Sequence, residues 1–338
     1  MSFRKMKDTI DYGDTVILHI GYDNMLPILL CKGETMQTKF GAVKHDSLVG
    51  KQYGTRMQCS KGWIHVLQPT PELWTLSLPH RTQILYSTDI SMIIFQLDLK
   101  PGSVVAEAGT GSGSLSHALL RTIQPSGHLF TFEFHEERCD KARQEFGDHG
   151  LSEFVTVTHR DVCGEGFQLD HVADAVFLDL PKPWECIASA KQAIKREGGR
   201  FCTFSPCIEQ VQRSCEELSK NDFTDIVTVE CLARNFNIQY AKLQNILPPD
   251  LSPLKENGNG ADHGAEEEEL SHKKAKKSPE EEELSHKKAK KSPEILPNQT
   301  QDNNQVKLPV DNCFSSAVPA VAMQGHTGFL TFASLYHH

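Results

Sequence analysis

The fold is decided by the stretch Val104-Val105-Ala106-Glu107-Ala108-Gly109-Thr110-Gly111-Ser112-Gly113-Ser114, in a chain of 338 residues. An apolar strand, Ser103–Glu107, runs into a glycine-rich loop, and the loop opens the helix Ser114–Ile123. Glycines at this position permit a sharp turn and a close approach of the backbone to a ligand. The stretch therefore predicts a strand–loop–helix unit whose loop binds a small molecule.

The chain around this stretch alternates between apolar and amphipathic segments. Further strands are predicted at His128–Glu133, Phe154–Thr158, Ala175–Asp179, Arg200–Ser205, Ile226–Leu232 and Phe329–Ala333, and helices at Glu136–Phe146, Cys186–Arg196 and Ile208–Ser219. Alternation at this spacing requires crossover connections, which generate a parallel sheet. We therefore expect the doubly wound α/β class for residues 71–247 together with 325–338.

Three features favour S-adenosylmethionine as the ligand over a dinucleotide. The glycines follow Gly-x-Gly-x-Gly rather than Gly-x-Gly-x-x-Gly. Glu133 ends the second strand, where a carboxylate can accept hydrogen bonds from both ribose hydroxyls, and Asp161 ends the third, where it can accept one from the adenine amino group. Glu107 can face the methionine ammonium group. Each of Glu133 and Asp161, taken alone, could also be an ordinary carboxylate at a strand end.

Asp179 closes the fourth strand and precedes Leu180-Pro181-Lys182-Pro183-Trp184. Ligands of open α/β sheets bind beyond the carboxyl ends of the strands, so Asp179 is expected to point toward the reacting methyl group and its acceptor. Alternatively, Asp179 caps the next helical turn. Trp184 could line the acceptor pocket or pack in the core. A nucleophilic role for Cys207 is disfavoured because Cys207 follows the fifth strand rather than the fourth.

The segments that flank the α/β region differ from it in composition. Residues 1–70 hold short apolar stretches broken by glycines, which predicts a small all-β domain. Residues 248–324 hold two tandem copies of one acidic and basic sequence, at 266–279 and 280–293, which predicts a disordered charged insertion. The lysine clusters of these copies favour nuclear import, or else form only a solvated charge run.

The composition excludes several functional classes. Nothing near the start resembles a signal peptide, and the longest apolar runs are too short to cross a bilayer, so we expect a soluble intracellular protein without a membrane partner. The 10 cysteines contain no Cys-x-x-Cys pair and the 16 histidines are scattered, so no metal site is predicted. The net charge of −9 argues against a free-standing nucleic-acid binder, unless a local groove or a basic partner contacts the phosphates.

A resemblance to a known family rests on six longer strings: Pro69–Trp74, His80–Asp89, Glu107–Ser114, Asp179–Trp184, Phe204–Gln210 and Gly325–Gly328. Through them the chain resembles the catalytic subunits of eukaryotic tRNA (adenine-N1)-methyltransferase, which act at tRNA position 58. The resemblance implies a Rossmann-like class I methyltransferase domain with a small N-terminal all-β domain, S-adenosylmethionine as cofactor and tRNA as substrate. It also implies a non-catalytic paralogous subunit and a heterotetramer built as a dimer of heterodimers.

The resemblance further implies roles for individual residues. Asp179 is expected to orient the adenine through its exocyclic amino group and to stabilise the positive charge that develops on methylation. With the loop residues, the candidate cofactor set is Leu85, Glu107, Gly109, Gly111, Ser112, Gly113, Ser114, Glu133, Arg138, Asp161, Val162 and Asp179. The candidate tRNA set is Ile20, Gly21, Tyr22, Thr35, Met36, Gln37, Thr38, Lys39, Phe40, Gly41, Ala42, Gly62, Trp63, Gln83, Ile84, Leu85, Tyr86, Ser87, Leu178, Asp179, Leu180, Pro181, Thr203, Phe204, Ser205, Pro206, Cys207, Ile208, Glu209, Gln210 and Thr327.

Two other functions stay open. A protein carboxyl methyltransferase of the isoaspartyl-repair type has a related glycine loop, but it leaves the β domain and the Asp179 segment unexplained. A non-catalytic RNA-binding or assembly subunit is expected to lack Glu107 or Asp179, and both are present. The sequence also leaves open whether T-loop-like sites in mRNA are methylated.

Overall fold

A computed structural model describes residues 3, 6–21, 24–242, 313–320, 325 and 327–336. The chain divides into two compact units, Met1–Asn235 with Ala320–His338, and Phe236–Pro319. The duplicated sequence at 266–293 lies outside the described residues, so its predicted disorder stays a prediction. Among the described residues, no helix has the length and apolar character needed to cross a membrane.

The N-terminal part of the larger unit consists of strands, as predicted. They are β1 (Thr15–Gly21), β2 (Asn24–Leu29), β3 (Thr35–Thr38), β4 (Gly41–Lys44), β5 (Arg56–Cys59) and β6 (Gly62–Leu67), with a 3-10 turn at His45–Ser47. Four of them form an antiparallel sheet in the order β2-β1-β6-β5, and β3 pairs with β4. Alternate side chains of β1 and β6, including Val16, Leu18, Ile64 and Val66, share one buried core.

A seven-stranded sheet forms the rest of the larger unit. Its strands are β7 (Val104–Ala108), β8 (His128–Glu133), β9 (Val155–His159), β10 (Ala175–Leu178), β11 (Gly199–Ser205), β12 (Thr224–Val229) and β15 (Phe329–Leu335), in the order β12-β15-β11-β10-β7-β8-β9. Strands β7 to β11 are parallel, and β15 is antiparallel to both of its neighbours. The predicted α/β fold class with a parallel sheet is therefore confirmed.

Helices cover both faces of this sheet. They are α1 (Pro71–Ser77), α2 (Ser87–Gln96), α3 (Ser114–Ile123), α4 (Glu136–Asp148), α5 (Val162–Glu165), α6 (Ile187–Ala193) and α7 (Ile208–Lys220). Helices α2, α3 and α4 contribute to one hydrophobic core, and α5, α6 and α7 contribute to the other. The sequence analysis did not predict α1 and α2, although Thr70 accepts a hydrogen bond from the Leu73 N–H and Pro71 occupies the first turn, as at many helix starts.

The smaller unit corrects one predicted boundary. Strands β13 (Phe236–Lys242) and β14 (Cys313–Pro319) form an antiparallel hairpin, so Cys313–Pro319 is not part of a disordered insertion. The cross-strand hydrogen bonds stabilise β14, and its partner lies more than 70 residues earlier in the sequence. A pairing of this range leaves no local sequence signal. The other predicted domain limits stay predictions.

Candidate active site

The glycine loop connects β7 to α3 and passes close to the end of β10. Gly109, Gly111 and Gly113 have φ values of 98°, 54° and 74°, a backbone region that side chains other than glycine rarely adopt. A Cβ atom on Gly109 would lie 2.3 Å from the carbonyl oxygen of Asp179. Only glycine at 109 therefore allows the loop to lie directly against the segment that carries Asp179.

The segment before α2, residues 81–85, forms hydrogen bonds with the glycine loop. The backbone N–H groups of Arg81 and Thr82 donate to the Ser112 hydroxyl at 2.9 and 3.1 Å. The Ser114 hydroxyl donates to the carbonyl oxygen of Leu85 at 2.9 Å. Ser112 and Ser114, both predicted as cofactor residues, therefore hold the loop in place as well as line its cavity.

Two buried histidines support the loop from behind. His117 Nδ1 lies 2.6 Å from the carbonyl oxygen of Gly113, and His117 Nε2 lies 2.8 Å from His149 Nδ1. Because a carbonyl only accepts, His117 donates from Nδ1, and His149 must donate to the bare Nε2 of His117. Burial lowers the pKa of His117 to about 4 and lowers that of His149 further. The pair is therefore neutral, which this donor chain requires.

Glu133 ends β8 with its carboxylate fully engaged. Oε2 accepts from the Gly111 N–H at 2.9 Å, and Oε1 accepts from the His135 N–H at 3.1 Å and from the Arg138 guanidinium at 2.6 and 3.0 Å. Burial raises the pKa of Glu133, but these hydrogen bonds outweigh burial and hold it below the ordinary value. Glu133 is therefore ionised and fixed, and Arg138 positions it.

Asp161 and Val162 follow β9 at the start of α5. The Asp161 carboxylate accepts from the Cys163 N–H at 3.0 Å and caps the helix, and Asp161 also lines the pocket described below. The Val162 side chain is 4% exposed and packs in the core. Cys163 lines the pocket and Val162 does not, so a cofactor contact from Val162 stays a prediction that concerns its backbone rather than its side chain.

Glu107 lies beneath the loop and is almost completely buried. Its Oε2 accepts from the Ser116 hydroxyl at 2.6 Å and from the Thr131 hydroxyl at 2.7 Å. Burial raises its pKa to about 7 against the effect of these two hydrogen bonds, and the charges of Asp179 and Glu133 add to the increase. A cationic group beside Glu107 would favour the ionised form, as expected if it faces the methionine ammonium.

Asp179 directly follows β10, and its backbone N–H donates to Ala108 at 2.9 Å. Burial raises the pKa of its carboxyl to about 6. No hydrogen bond reaches this carboxylate from any residue that the structure describes, and the 3-10 turn Pro183–Cys186 begins after Lys182 without a side-chain cap. The alternative role of Asp179 as a helix cap is therefore wrong, and the carboxylate faces the pocket.

A pocket of about 820 Å³ runs along the carboxyl edge of the large sheet. One end, which we call the cofactor half, is lined by Gly109, Gly111, Glu133, Arg138 and Asp161. The other end, the acceptor half, is lined by Asp89, Asp179, Phe204, Gln210 and Thr327. A smaller cavity of about 30 Å³ beneath the loop is lined by residues that include Leu85, Glu107, Ser112, Gly113 and Ser114. Together the two spaces take in every candidate cofactor residue except Val162.

The candidate tRNA residues fall into two groups. One group lines the pocket: Gln83, Ile84, Leu85, Tyr86, Asp179, Leu180, Pro181, Phe204, Pro206, Gln210 and Thr327. The Gln210 side chain donates to the Pro181 carbonyl at 3.0 Å and so joins α7 to the Asp179 segment. Ser87, Cys207, Ile208 and Glu209 occupy adjacent helix starts.

The second group lies in the N-terminal β domain. The β3–β4 hairpin, which carries Thr35 to Ala42, meets β6 where the Phe40 ring lies against Gly62, so that a Cβ on Gly62 would be 2.7 Å from it. Lys39 Nζ approaches Gly21, and the half-exposed Trp63 stacks with Arg56 at 4.1 Å from ring centroid to guanidinium carbon. Tyr22 lies outside the described residues.

Four buried tRNA candidates do not line the pocket. Ile20, Leu178, Thr203 and Ser205 have side chains in the interiors of the two sheets, with exposures of 6% or less. Inward-facing positions of a strand belong to the core, so these four contacts with tRNA stay predictions that concern the backbone rather than the side chains. Trp184 also packs partly buried against the core, with Arg213 over its ring, and does not line the pocket.

Sequence reasoning missed several residues of the pocket wall. These are Thr82, Asp89, Phe134, His135, Cys163, Lys182 and Glu185. Most of them adjoin predicted residues, so the strand ends could have indicated them. Asp89 had no such signal, since α2 itself was not predicted.

The site fits S-adenosylmethionine in volume and in chemistry. Its volume lies in the range of small-molecule pockets, and the loop glycines leave room for close backbone contact. A fixed carboxylate at Glu133 suits a ribose diol, and the acid at Glu107 suits an ammonium group.

The GCD14 family, described as the GCD14 subunit of the tRNA methyltransferase complex, matches residues 62–335. The chain belongs to this family. The tRNA (adenine(58)-N(1))-methyltransferase catalytic subunit of Dictyostelium discoideum is 48% identical over 243 residues, which cover 70% of this chain and 78% of that one. The protein of the same description from Candida albicans is 44% identical over 272 residues, which cover 79% and 81%.

Solved structures support the fold of this GCD14 family member. A SAM-dependent O-methyltransferase from Thermotoga maritima is similar with a TM-score of 0.68 and 25% identity, over 98% of this chain and 97% of that one. The tRNA (m1A58) methyltransferase TrmI from Aquifex aeolicus is similar with a TM-score of 0.61 and 20% identity, over 97% and 98%. The Rossmann-like methyltransferase fold is confirmed.

Proposed function

We propose that this chain is the catalytic subunit of a tRNA (adenine-N1)-methyltransferase that modifies position 58. Membership of the GCD14 family and the catalytic subunits of similar sequence support tRNA as the substrate and S-adenosylmethionine as the cofactor. The observation that carries the assignment is the ionisable carboxylate of Asp179, which faces the pocket beside the glycine loop.

The cofactor half binds and orients the methyl donor. Glu133 would accept hydrogen bonds from the ribose hydroxyls, and Arg138 and the Gly111 N–H keep its carboxylate in place. Asp161 would offer its second carboxylate oxygen to the adenine of the cofactor, and Glu107 would hold its ammonium group. When bound, the cofactor supplies the methyl group.

The acceptor half orients the adenine for reaction at N1. Asp179 accepts a hydrogen bond from the exocyclic amino group next to N1, which directs the N1 lone pair toward the methyl donor. The product is a cation, so a carboxylate in a site of low dielectric favours the charge that develops during transfer. No proton has to be removed from N1 before it attacks, so Asp179 acts here by orientation and charge.

The β domain supplies a second contact with tRNA in this proposal. Lys39, Phe40 and Trp63 offer a cation and two aromatic rings at one end of the β domain. Cations contact phosphates and aromatic rings stack on unpaired bases, which are the two general requirements for binding folded RNA. These features support a role of the β domain in binding tRNA at a distance from the reacting base.

Assembly with a non-catalytic paralogous subunit into a heterotetramer is part of the same proposal. The family description names a complex, and the net charge of −9 calls for a basic partner if the assembly holds RNA. In the hairpin unit, Phe236, Ile238 and Tyr240 alternate along β13 and are more than half exposed, which suits a protein interface. Nuclear location is proposed from the lysine clusters Lys273–Lys277 and Lys287–Lys291.

Nucleoside analysis tests the function. The chain, alone and co-expressed with the paralogous subunit, is incubated with unmodified tRNA and methyl-labelled cofactor. Label in N1-methyladenosine at position 58 is expected, and a transcript with another base at position 58 serves as control. Label only in base-labile protein esters would contradict the proposal and favour a carboxyl methyltransferase. Methylation of T-loop-like mRNA hairpins is measured in the same assay.

A further inference from the structure

Asp89 is the least exposed acidic residue of the acceptor half. It is only 1% exposed, yet it lines the pocket, and its Oδ1 has no hydrogen-bond partner among the described residues. A buried carboxylate oxygen without a donor is unfavourable, so a ligand or a bound water is expected to complete it.

The position of Asp89 assigns it to the acceptor rather than to the methyl donor. Asp89 lies in the first turn of α2, and α2 packs against β15 and α3. Cys231, which follows β12, is within electrostatic range of Asp89. Strands β12 and β15 lie at the edge of the sheet opposite to β8 and β9, whose ends carry the cofactor half.

A nucleotide within an RNA chain has few hydrogen-bond donors to offer. In an adenosine they are the exocyclic amino group and the ribose 2′-hydroxyl, since O3′ and O5′ are esterified and the ring oxygen O4′ carries no hydrogen. An ionised oxygen that faces the acceptor half can accept from either group. We propose that Asp89 contacts the acceptor nucleotide itself, as a second substrate-binding carboxylate beside Asp179, through one of these two donors.

A purely structural role for Asp89 makes a different prediction. A carboxylate in the first turn of a helix interacts favourably with the helix dipole. If that were its whole role, Asp89→Leu would change the stability of the protein and leave the binding of tRNA alone. The proposal rests on the function proposed above, and it concerns a residue to which that function assigns no part.

The experiment compares Asp89→Asn, Asp89→Leu and wild type as full chains co-expressed with the paralogous subunit. Asp98→Asn is the matched control, because Asp98 is exposed after the end of α2 and has a φ of 51°, which asparagine tolerates. We expect kcat/KM for tRNA to fall roughly 10- to 100-fold in Asp89→Leu and less in Asp89→Asn, with the Kd for the cofactor within about twofold of wild type.

Modified transcripts identify the donor. One carries 2′-deoxyadenosine at position 58, and another carries purine riboside, which lacks the amino group. The donor that Asp89 accepts from is the one whose removal lowers kcat/KM about tenfold more in wild type than in Asp89→Leu, because the variant has already lost the partner. Removal of the amino group also lowers kcat/KM in both proteins, since Asp179 accepts from it. Equal losses in both proteins for both transcripts would overturn the proposal.

Two further results would also overturn it. One is a kcat/KM for tRNA in Asp89→Leu equal to that of Asp98→Asn. The other is a parallel loss of cofactor binding and of melting temperature, which would indicate a structural role only. If wild type forms no N1-methyladenosine, the proposed function itself fails, and that result is distinct from a failure confined to Asp89.

Discussion

The carboxylates of the two halves of the pocket differ in their hydrogen bonds and in the direction of their pKa shifts. In the cofactor half, Glu133 accepts hydrogen bonds from Gly111, His135 and Arg138, and its pKa is held below the ordinary value. In the acceptor half, no described residue donates to the carboxylate of Asp179 or to Oδ1 of Asp89, and burial raises the pKa of both.

This difference shows which hydrogen bonds the protein makes before a ligand binds. In the cofactor half, each oxygen of Glu133 already accepts hydrogen bonds from the protein before anything binds. The acceptor half holds carboxylates whose favourable interactions can come only from a substrate. Such an arrangement favours an acceptor that supplies hydrogen-bond donors and develops positive charge.

The largest effect is expected from Asp179. Asp179→Ala is predicted to lower kcat for methyl transfer by about 10²- to 10³-fold, since it removes the group that orients the adenine and stabilises its charge. The Kd for the cofactor, measured by calorimetry, should stay within about threefold of wild type. Equal losses in cofactor binding and in kcat would contradict the assignment of Asp179 to the acceptor half.

Glu133→Gln tests the opposite half. The neutral amide loses the charge-assisted hydrogen bonds with Arg138, so the Kd for the cofactor should rise roughly 10- to 100-fold. At saturating cofactor, kcat should be close to wild type. Glu137→Gln, at an exposed position on the next helical turn, is the control. A main effect on kcat would show that Glu133 contributes to the chemical step.

The dependence of kcat/KM on pH also tests the difference between the two halves. Asp179 must be ionised to accept from the amino group, and its pKa is about 6. The value of kcat/KM should therefore be constant above pH 7 and fall about tenfold per pH unit below pH 6. The hydrogen bonds of Glu133, whose pKa is lowered, should persist through that range. Protonation of Glu107, whose pKa is about 7, should weaken cofactor binding, so kcat/KM for tRNA is measured at saturating cofactor. A flat activity profile down to pH 5 would contradict the assignment of Asp179.

The smallest effect on methyl transfer is expected from the histidine pair behind the glycine loop, which acts on stability. The folded state holds the pKa of His117 at about 4, below the unfolded value of about 6.5. Stability from the neutral pair is present above pH 6.5 and is lost as pH falls toward 4, by up to about 1.4 kcal/mol per pH unit for each histidine. Denaturation of wild type and His149→Phe across this range measures it, and the variant should show the shallower slope. Identical slopes would count against a neutral pair.

The features of the site that are predictable from the sequence are those formed by residues close together in the chain. The β7–loop–α3 unit, Glu133 and Asp179 were predictable, because each follows an apolar strand and the ends of parallel strands meet at one edge. The β13–β14 hairpin was missed because its strands are separated by more than 70 residues. The support of the loop by His149 was missed for a similar reason, since 32 residues separate it from His117.

Burial accounts for the candidate residues that do not line the pocket. The strings that carried the family resemblance mark which segments line the site, but not which side chains face it. Val162 and Thr203 are adjacent in the chain to residues that line the pocket, but their side chains are buried in the core. Asp89 shows the reverse case, a residue within a quoted string whose position became informative only when α2 was placed over the sheet.

The most direct test is a crystal structure of the assembly with a non-reactive cofactor analogue and a tRNA T-arm. The measured quantity is the distance from the Asp179 carboxylate to the exocyclic nitrogen of the adenine at position 58. We predict a hydrogen bond of about 2.7–3.2 Å, with N1 facing the sulfonium position of the analogue. A carboxylate turned away from the base, or an analogue bound elsewhere than along the glycine loop, would contradict the account.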